Sequence, residues 1–282
     1  MTASYESERL LVETTKEPIT KRRLVEDLQK AGIRPGDTVL VHSSMRSIGW
    51  IVGGPVTVIA ALIEAVTKEG TLVMPTQSTG NGEPSRWQHP SVPQNWWQII
   101  REEMPPYDPE ITPTRKMGAV AETFRKYPGV FRSPHPQASF GAWGKRARYV
   151  VEKHPVDDVF GKESPLARLY SLNAKILLIG IGLNANTSLH YAEFRAELPN
   201  MPIEHPGAAV LVNGKRVWKT WQQIEYNDED FPCIAAEFEK ATSRIPVYVG
   251  QAESHLFPMK ELIDFGVTWL RKNRVYEEVS NS

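Results

Sequence analysis

The apolar positions of this chain form short solid runs and longer runs with helical spacing. Solid runs at 37–44 and 71–76 are typical of strands buried on both faces, and Pro55 opens a helical pattern between them. Strand, loop, helix and strand in this order predict a βαβ unit with a right-handed crossover and a parallel sheet. An amphipathic helix precedes the unit, with Thr20 as its cap and Gly32 as its stop.

A third solid run, at 176–181, leads through the turn-forming sequence GLNANT into a helix capped by Asn186 or Thr187. His190 then falls in the first helical turn, with Glu193 one turn later on the same face. The helix dipole lowers the pKa of a first-turn imidazole, and a carboxylate at i+3 fixes its tautomer. These are the requirements of a general base, although HxxE alone is a weak motif and a satisfied core histidine is the alternative.

The remaining pattern adds elements around this core. Asn213-Gly214 separates two alternating segments and predicts a β-hairpin with a type I′ turn. Beyond it we expect helices at 232–242 and 256–272, with a short strand between them. The predicted fold class is α/β, with a mostly parallel central sheet flanked by helices and with the C-terminal β-hairpin and helices beside the ligand cleft.

Two stretches lack a clear period. Residues 1–18 are expected to form a flexible N-terminal arm, which leaves 19–282 as a single domain with a possible subdivision near 150–200. Residues 76–113 are rich in proline and tryptophan, and one short helix is predicted at 96–103. A binding loop and a solvated insertion are both compatible with a loop of this length.

Composition narrows the class of protein. The 282 residues include 33 basic and 33 acidic side chains, so no overall charge favours nucleic acid or an anionic membrane as a partner. No apolar run approaches the roughly 20 residues of a spanning helix, and the polar N-terminus lacks the apolar core of a signal peptide, so a cytoplasmic location is expected. The single cysteine, Cys233, excludes an intrachain disulfide and a multi-cysteine metal site, and its apolar neighbours predict a buried position at the start of a helix.

The carboxyl ends of the predicted parallel strands are the expected ligand site, as in other open α/β sheets. The residues expected at this edge are the polar residues His42, Ser43, Ser44 and Thr76, together with Gly53 and Gly54 at the start of the helix. Backbone N–H groups at a glycine-rich helix start suit a phosphate, although glycines that merely form a tight turn are the alternative. Further along, Arg132, Ser133 and His135 surround a proline turn, where they either hold a phosphate or satisfy buried loop carbonyls.

Six segments with distinctive sequences follow one another along the chain. They are VLVHSSMRSIGWIVGG, GTLVMPTQS, PTRKMGAVAETFR, RSPHPQASFGAWG, FGKESPLARL and LLIGIGLNANTSLHYAE. In this order they resemble the aminoglycoside N3-acetyltransferase family, the antibiotic acetyltransferases unrelated to the GNAT superfamily. The resemblance implies acetyl transfer from acetyl coenzyme A to the 3-amino group of the 2-deoxystreptamine ring of aminoglycosides, conferring resistance. It also implies a cleft that takes the pantetheine arm from one side and the sugar from the other.

The resemblance implies roles for particular residues. His190 matches the family's catalytic histidine, with support from Glu193 and Thr187. The residues implied on the coenzyme side of the cleft are His42, Ser43, Ser44, Arg46, Gly53, Gly54, Thr76, Ser133 and His135. Acetyl coenzyme A is the expected co-substrate, and no metal is expected.

The chemistry of the implied reaction agrees with these residues. An aminoglycoside amine is protonated at neutral pH and needs a base before it can attack, which suits a neutral His190. We expect a direct ternary-complex transfer, because no Cys or Ser has an obvious adjacent base in the sequence. A Ser43 or Ser44 hydroxyl, or a backbone N–H near them, is a candidate oxyanion stabiliser. A polycationic substrate also needs acidic walls, for which the candidates are Asp157, Glu193, Glu197, Asp228 and Asp230.

Other functions remain as alternatives. The first is an N-acetyltransferase acting on a different amine, such as an amino sugar or a biosynthetic intermediate. The second is a metal-dependent hydrolase built from His42, His135 and His190, but the histidines are scattered without HExxH spacing. The third, a non-catalytic coenzyme A-binding module, would lack His190 or Glu193, and both are present. A homodimer is compatible with an enzyme of this size.

Overall fold

The computed structural model of the protein describes residues 3–277, and its centre is a seven-stranded sheet. Its strands are β1 (Thr38–Ser43), β2 (Thr71–Pro75), β3 (Phe131–Arg132), β4 (Phe140–Gly144), β5 (Lys175–Ile179), β10 (Val247–Val249) and β11 (Ala252–Pro258). Four further strands form two small two-stranded sheets: β6 (Ile203–Glu204) with β9 (Gln223–Ile224), and β7 (Gly207–Val212) with β8 (Lys215–Thr220).

Helices cover the sheet. They are α1 (Ala3–Thr14), α2 (Lys21–Ala31), α3 (Met45–Ile48), α4 (Gly54–Val66), α5 (Trp97–Glu103), α6 (Gly118–Phe124), α7 (Ala147–Val151), α8 (Pro165–Ser171), α9 (Leu189–Ala196), α10 (Phe231–Thr242) and α11 (Met259–Asn273). None of the helices in residues 3–277 is long and apolar enough to cross a membrane.

The strand order is β10-β11-β5-β1-β2-β4-β3, which confirms an α/β fold with a central sheet between helices. Strands β5, β1 and β2 are parallel, whereas β11 and β4 run antiparallel beside them. Parallel pairing needs a long crossover such as α4, and β10 and β11 are instead joined by a tight turn that permits only antiparallel pairing. The sheet is therefore mixed, with its parallel part at the centre.

Two hydrophobic clusters lie on the two faces of this sheet. Leu40 and Leu178 belong to one cluster, while their neighbours Val41 and Leu177 belong to the other. Successive side chains of a strand point to opposite faces, so strands covered on both faces need an unbroken apolar sequence. This is the physical reason for the solid apolar runs in the sequence.

The helix caps in the N-terminal half follow the predictions. The Thr20 side chain accepts a hydrogen bond from the N–H of Arg23, and Gly32 ends α2 with a left-handed φ of 108°. Pro55 lies in the first turn of α4, where its missing N–H costs nothing. The predicted βαβ unit from β1 through α4 to β2 is present.

Three expectations differ from the structure. The expected arm contains helix α1, because Arg9 bridges Glu6 and Glu13 one turn away on either side and supports a helix without an apolar period. The C-terminal helix starts at Met259 and not at residue 256, since the residues before it form β11 against β5. Cys233 is exposed, because Phe231 and Ile234 supply the buried face of α10. The division into an arm and a single domain stays a prediction.

The hairpin turn is set by its own residues, whereas the long loop is held by an arginine outside it. Asn213 and Gly214 have φ values of 50° and 75°, as the predicted turn between β7 and β8 requires. Residues 76–113 pack over the sheet edge and contain α5, as predicted at 96–103. The Arg132 guanidinium lies beneath this loop and donates to the carbonyls of Thr76, Pro109 and Thr112.

Candidate active site

A cavity of about 290 Å³ opens at the carboxyl ends of the parallel strands, where the sequence places the ligand site. His42 and Ser43 reach it from the end of β1, and Thr187 and His190 reach it from the segment after β5. Met74, Pro75, Gln77, Lys116, Met117, Asn184, Ala185 and Asp228 are among its other lining residues. The topology thus brings the end of β1 and the start of α9 to one space.

His190 and Glu193 form a hydrogen-bonded pair at the wall of this cavity. Nδ1 of His190 lies 2.6 Å from Oε2 of Glu193 across one helical turn. The Glu193 side chain is fully buried, whereas 18% of the His190 side chain is exposed. Nε2 of His190 has no hydrogen-bond partner among the described residues, so it is the nitrogen available to a bound molecule.

Three aromatic rings fix the plane of the imidazole. Phe160 stacks on His190 with ring centroids 4.8 Å apart and an angle of 10° between the planes. Tyr226 and Phe231 contact the imidazole edge to face at 5.3 and 4.9 Å. An imidazole held by rings on several sides and by a carboxylate at Nδ1 has little freedom to rotate.

The second oxygen of Glu193 is also occupied. Oε1 accepts a hydrogen bond from the Asn227 N–H at 3.0 Å and another from Nη1 of Arg274. Arg274 also donates to Asp230 at 2.7 Å and to the Asn227 carbonyl at 3.0 Å. Burial alone would lower the pKa of Arg274, but the hydrogen bond with Asp230 and the charge of Glu193 outweigh it and raise that pKa, so the guanidinium stays charged.

The start of α9 differs in detail from the prediction. The helix begins at Leu189, and the residue in the cap position is Ser188, not Asn186 or Thr187. A short 3-10 turn at Leu183–Ala185 advances the chain before α9, and the buried Asn186 side chain accepts from the Ser188 hydroxyl. Thr187 lines the cavity beside His190, as its proposed role requires.

His42 is a buried neighbour in the same cavity. Burial lowers the pKa of His42 to about 4, so its imidazole is neutral at physiological pH. Its Nε2 is buried and has no hydrogen-bond partner within the described part of the chain. A buried nitrogen of this kind is suited to a bound polar group or a water molecule.

A second cavity, of about 430 Å³, holds other residues predicted on the coenzyme side. Arg46, Gly53 and Gly54 line it, together with Trp50 and part of α1. Ser44 lines neither cavity and caps α3, where its hydroxyl accepts a hydrogen bond from Ser47. Arg46, Gly53 and Gly54 therefore line a different cavity from the one that contains His190.

Three residues predicted to contact the coenzyme are instead engaged inside the fold. The Thr76 hydroxyl accepts from Arg132, and the Ser133 hydroxyl contacts Nδ1 of His154 at 2.9 Å. Nδ1 of His135 accepts from two backbone N–H groups of its own turn. All three side chains are buried and none lines the cavity of His190. Arg132 of the same proline-turn cluster donates to the carbonyls of Thr76, Pro109 and Thr112, which matches the alternative in which that cluster satisfies buried loop carbonyls.

The predicted acidic residues are distributed over several environments. Asp228 lines the His190 cavity, and Asp157 lines a neighbouring cavity of about 370 Å³ beside Tyr226. Asp230 is paired with Arg274, so its charge is balanced within the protein. Glu197 is exposed at the end of α9 with a left-handed φ of 48°, and it does not line the His190 cavity.

Some site residues were not found from the sequence. Arg274 and Asn227 donate hydrogen bonds to Glu193, and the rings of Phe160 and Tyr226 contact the His190 imidazole. Their separations from His190 along the chain carry no periodic signal. Across residues 3–277 no three His, Cys, Asp or Glu side chains come together as a group that could hold a metal ion.

The sequence and the fold were compared with known proteins. The family model described as aminoglycoside 3-N-acetyltransferase matches residues 40–271. The chain belongs to the aminoglycoside 3-N-acetyltransferase family. It is accordingly a member of a family of acyltransferases, and the family identified from the six sequence segments is confirmed.

Several relatives in this family are similar over nearly their whole length. The chain is 45% identical to the SPbeta prophage-derived aminoglycoside N(3')-acetyltransferase-like protein YokD of Bacillus subtilis, over 93% of this chain and 96% of that protein. It is 36% identical to aminoglycoside N(3)-acetyltransferase VII of Streptomyces paromomycinus, over 90% of this chain and 92% of that protein.

Solved structures agree with the family. The aminoglycoside acetyltransferase AAC(3)-Xa superposes with a TM-score of 0.87 at 31% identity, covering 97% of this chain and 100% of the other. AAC-IIIb, solved as a binary complex with CoASH, superposes with a TM-score of 0.81 at 30% identity over 93% of this chain and 99% of the other. AAC-VIa bound to sisomicin superposes with a TM-score of 0.80 at 33% identity over 91% and 98%.

Proposed function

We propose that this protein transfers the acetyl group of acetyl coenzyme A to the 3-amino group of the 2-deoxystreptamine ring of aminoglycosides, with His190 as general base. The observation that carries the proposal is the buried Glu193 carboxylate on Nδ1 of His190, with Nε2 left for a molecule in the cavity. A carboxylate at Nδ1 fixes the tautomer in which Nε2 accepts a proton, and it stabilises the imidazolium that results.

The reaction proceeds in one ternary complex. The amine nitrogen forms a bond to the thioester carbonyl carbon while Nε2 of His190 removes one proton from it, and the other proton that the bound ammonium must lose passes to solvent. The tetrahedral intermediate then expels the coenzyme A thiolate, which takes the proton from the imidazolium, giving an N-acetyl amide and coenzyme A thiol. No acyl-enzyme is needed, and Cys233, which is exposed on α10, is not among the residues that line the cavity. The Ser43 side chain or a neighbouring backbone N–H is the candidate donor to the oxyanion.

The coenzyme is proposed to reach the cavity from the side of α3 and α4. Arg46 and the Gly53–Gly54 start of α4 line the adjoining cavity, and a helix start with a nearby guanidinium suits phosphate groups. The relative AAC-IIIb, with which this fold superposes, was solved with CoASH. Acetyl coenzyme A is therefore the proposed co-substrate.

The amine is proposed to enter beside Asp228 and the neighbouring acidic cavity. Asp228 lines the same space as His190, and Asp157 and Asp158 line the adjoining one. Carboxylates at the entrance attract a polycationic amine and orient its rings. The relative AAC-VIa was solved with sisomicin, which supports an aminoglycoside as the ligand class.

One observation favours a different amine as a second candidate. A cavity of about 330 Å³ shares Lys116 with the His190 cavity and includes Arg115. Its two glutamates, Glu83 and Glu204, are paired with Arg101 and Arg86, whereas neither Arg115 nor Lys116 has a carboxylate partner in the described chain. An amine that also carries an anionic group would use these cations, as a sugar phosphate amine or another biosynthetic intermediate does.

A substrate panel tests the proposal. Thiol release from acetyl coenzyme A is measured for wild type and His190→Ala with 4,5- and 4,6-disubstituted aminoglycosides, with apramycin and with amino sugar phosphates. Turnover on aminoglycosides that is lost in the variant supports the proposal. Turnover only on the phosphorylated amines selects the second candidate, and equal turnover in the His190→Ala variant contradicts the role of the histidine.

The cellular setting of the reaction is part of the same proposal. We expect the enzyme in the cytoplasm, where acetyl coenzyme A is available to it. A homodimer is a further hypothesis, which sedimentation of the purified protein tests directly.

A further inference from the structure

The buried network behind His190 extends beyond the segment that matches the family model. That match ends at residue 271, and Arg274 lies three residues later, just after α11. Only 8% of the Arg274 side chain is exposed, and its guanidinium turns back into the protein. The next residue, Val275, is 84% exposed, so the chain reaches the surface directly after the arginine.

The guanidinium donates to three groups behind the imidazole, besides a longer contact of 3.5 Å with the Tyr276 hydroxyl. Nη1 donates to Oε1 of Glu193, Nε donates to Asp230 at 2.7 Å, and Nη2 donates to the Asn227 carbonyl at 3.0 Å. Asn227 and Asp230 belong to the segment that also carries Asp228 of the cavity wall. One arginine therefore ties helix α9, the 227–230 segment and the end of α11 together behind the imidazole.

We propose that Arg274 is a positioning residue that sets both the orientation of Glu193 and the proton affinity of the His190–Glu193 pair. The proposal rests on the function proposed for His190. With Oε1 held by Arg274 and the Asn227 N–H, only Oε2 is free to meet Nδ1, so the carboxylate has one orientation. A planar guanidinium with several donors is well suited to this task, whereas an ammonium offers only a point charge.

The charge of Arg274 acts on the pair as well. A positive charge beside a buried carboxylate withdraws part of the stabilisation that the carboxylate gives to an imidazolium. Arg274 therefore lowers the affinity of the coupled pair for a proton, whichever of the two groups takes it. The reaction needs the unprotonated form of the base, so this effect of the guanidinium favours turnover.

Other charged and titratable groups also surround the imidazole. Lys116, Asp228 and His42 share its cavity, and Tyr226 contacts the ring with Asp158 nearby. None of these groups is changed in the variants below. A change in the pH profile is then assigned to the network of Glu193, Arg274 and Asp230.

The experiment compares kcat, the KM for acetyl coenzyme A and the pH profile of kcat/KM for wild type, Arg274→Met, Arg274→Lys and Asp230→Asn. Arg274→Met is expected to lower kcat at pH 7 at least about tenfold with KM within about twofold. It is also expected to shift the acid limb of the profile, the fall of kcat/KM at low pH, to a pH about one unit higher. Arg274→Lys keeps the charge, so its acid limb stays near that of wild type while kcat falls in part. Asp230→Asn removes a negative charge, so its acid limb moves in the opposite direction.

Arg271→Met is the matched control. Arg271 also joins the end of α11 to α9, but it does so through the carbonyls of Ala196 and Arg195 and does not touch Glu193. If Arg274 has only a structural role, both variants lower the melting temperature and neither moves the acid limb. An unchanged acid limb in Arg274→Met and Asp230→Asn would overturn the inference.

His190→Ala separates this inference from the proposed function. If that variant keeps wild-type turnover, the assignment of His190 as base fails and the positioning role fails with it. If His190→Ala is inactive while Arg274→Met has the wild-type kcat and pH profile, the base assignment stands and the inference about Arg274 alone is wrong.

Discussion

Glu193 lies 2.6 Å from His190 with none of its own side chain exposed to solvent. A carboxylate with no access to water must find all its partners inside the protein, and Glu193 finds them in His190, the Asn227 N–H and Arg274. The pair is therefore a rigid unit at the edge of the cavity. Its geometry comes from the i,i+3 spacing on α9 and from the chain that closes behind it.

Glu193→Gln tests this unit directly. The amide keeps the shape but supplies an NH₂ or a neutral carbonyl to Nδ1, so the imidazolium loses its stabilisation. We expect kcat to fall by about 10²- to 10⁴-fold with little change in the KM for acetyl coenzyme A. Steady-state kinetics by thiol release measure both parameters. A loss in KM alone would mean that Glu193 serves coenzyme binding and not the base.

The buried histidines predict how stability depends on pH. Burial lowers the pKa of His42 to about 4 and that of His135 to about 3, and it lowers the pKa of His154 well below its ordinary value. In the unfolded chain these groups take up protons near pH 6.5, whereas in the folded chain they do not, so stability is full above that pH and falls as the pH drops.

The size of this effect is measurable. His42 and His135 are each expected to cost about 2 kcal/mol of unfolding free energy between pH 8 and pH 5, and His154 acts in the same direction. Urea unfolding at the two pH values measures the difference, and His135→Asn is expected to make the dependence shallower. Equal stability at pH 8 and pH 5 would show that these side chains are protonated in the folded protein.

The stability of the loop at residues 76–113 is expected to depend on Arg132. Its guanidinium donates to the carbonyls of Thr76 and Thr112 at 2.6 and 2.5 Å, and it lies over the Tyr107 ring at 5.2 Å. Arg132→Met removes the donor to the Thr112 carbonyl and leaves the Thr76 carbonyl with the Ser139 hydroxyl alone, and we expect a loss of about 3 kcal/mol in unfolding free energy.

The control for this prediction is Arg148→Met. The Arg148 guanidinium stacks over the neighbouring Phe131 ring at 4.0 Å, but the residue is exposed, so a change within about 0.5 kcal/mol is expected. Urea unfolding compares the two variants. Equal losses would mean that the loop does not depend on the buried guanidinium.

The end of β5 has no room for a side chain at Gly180. Its φ is 58°, and a Cβ added there would lie 2.3 Å from the Cβ of Ser47 in α3. Gly180→Ala combines a left-handed backbone with a clash between two cavity-forming segments, and we expect a loss of about 2–4 kcal/mol. Gly214→Ala, with a φ of 75° and open space around it, carries only the backbone cost of about 1 kcal/mol. Thermal unfolding of both variants separates the two causes, and equal losses would exclude the clash.

The sequence predicted those parts of the molecule that depend on local signals. Thr20, Pro55 and Asn213-Gly214 set helix starts and a turn through their own backbone chemistry, and each lies where it was expected. His190 and Glu193 were paired because one helical turn separates them. Neither inference required knowledge of distant contacts.

Contacts between distant segments were not predictable in the same way. Arg274 meets Glu193 across 81 residues, and only the packing of α11 on α9 brings them together. Thr76 was expected in the cleft because it ends a strand, and Ser133 and His135 because of their proline turn and the family resemblance, but sequence does not tell whether such polar residues face a ligand or the interior. Helix α1 was missed because its support comes from side-chain ion pairs and not from an apolar face.

The central claim is that His190 takes the proton from the amine, and the pH dependence of turnover tests it most directly. Turnover of one accepted aminoglycoside is measured from pH 6 to pH 9 in wild type and His190→Ala. Wild type is expected to reach a plateau once the imidazole is neutral. The variant is expected to be at least about 10²-fold slower at pH 7 and to rise about tenfold per pH unit with the fraction of free amine. A His190→Ala profile that follows the wild-type plateau at a similar rate would contradict the claim.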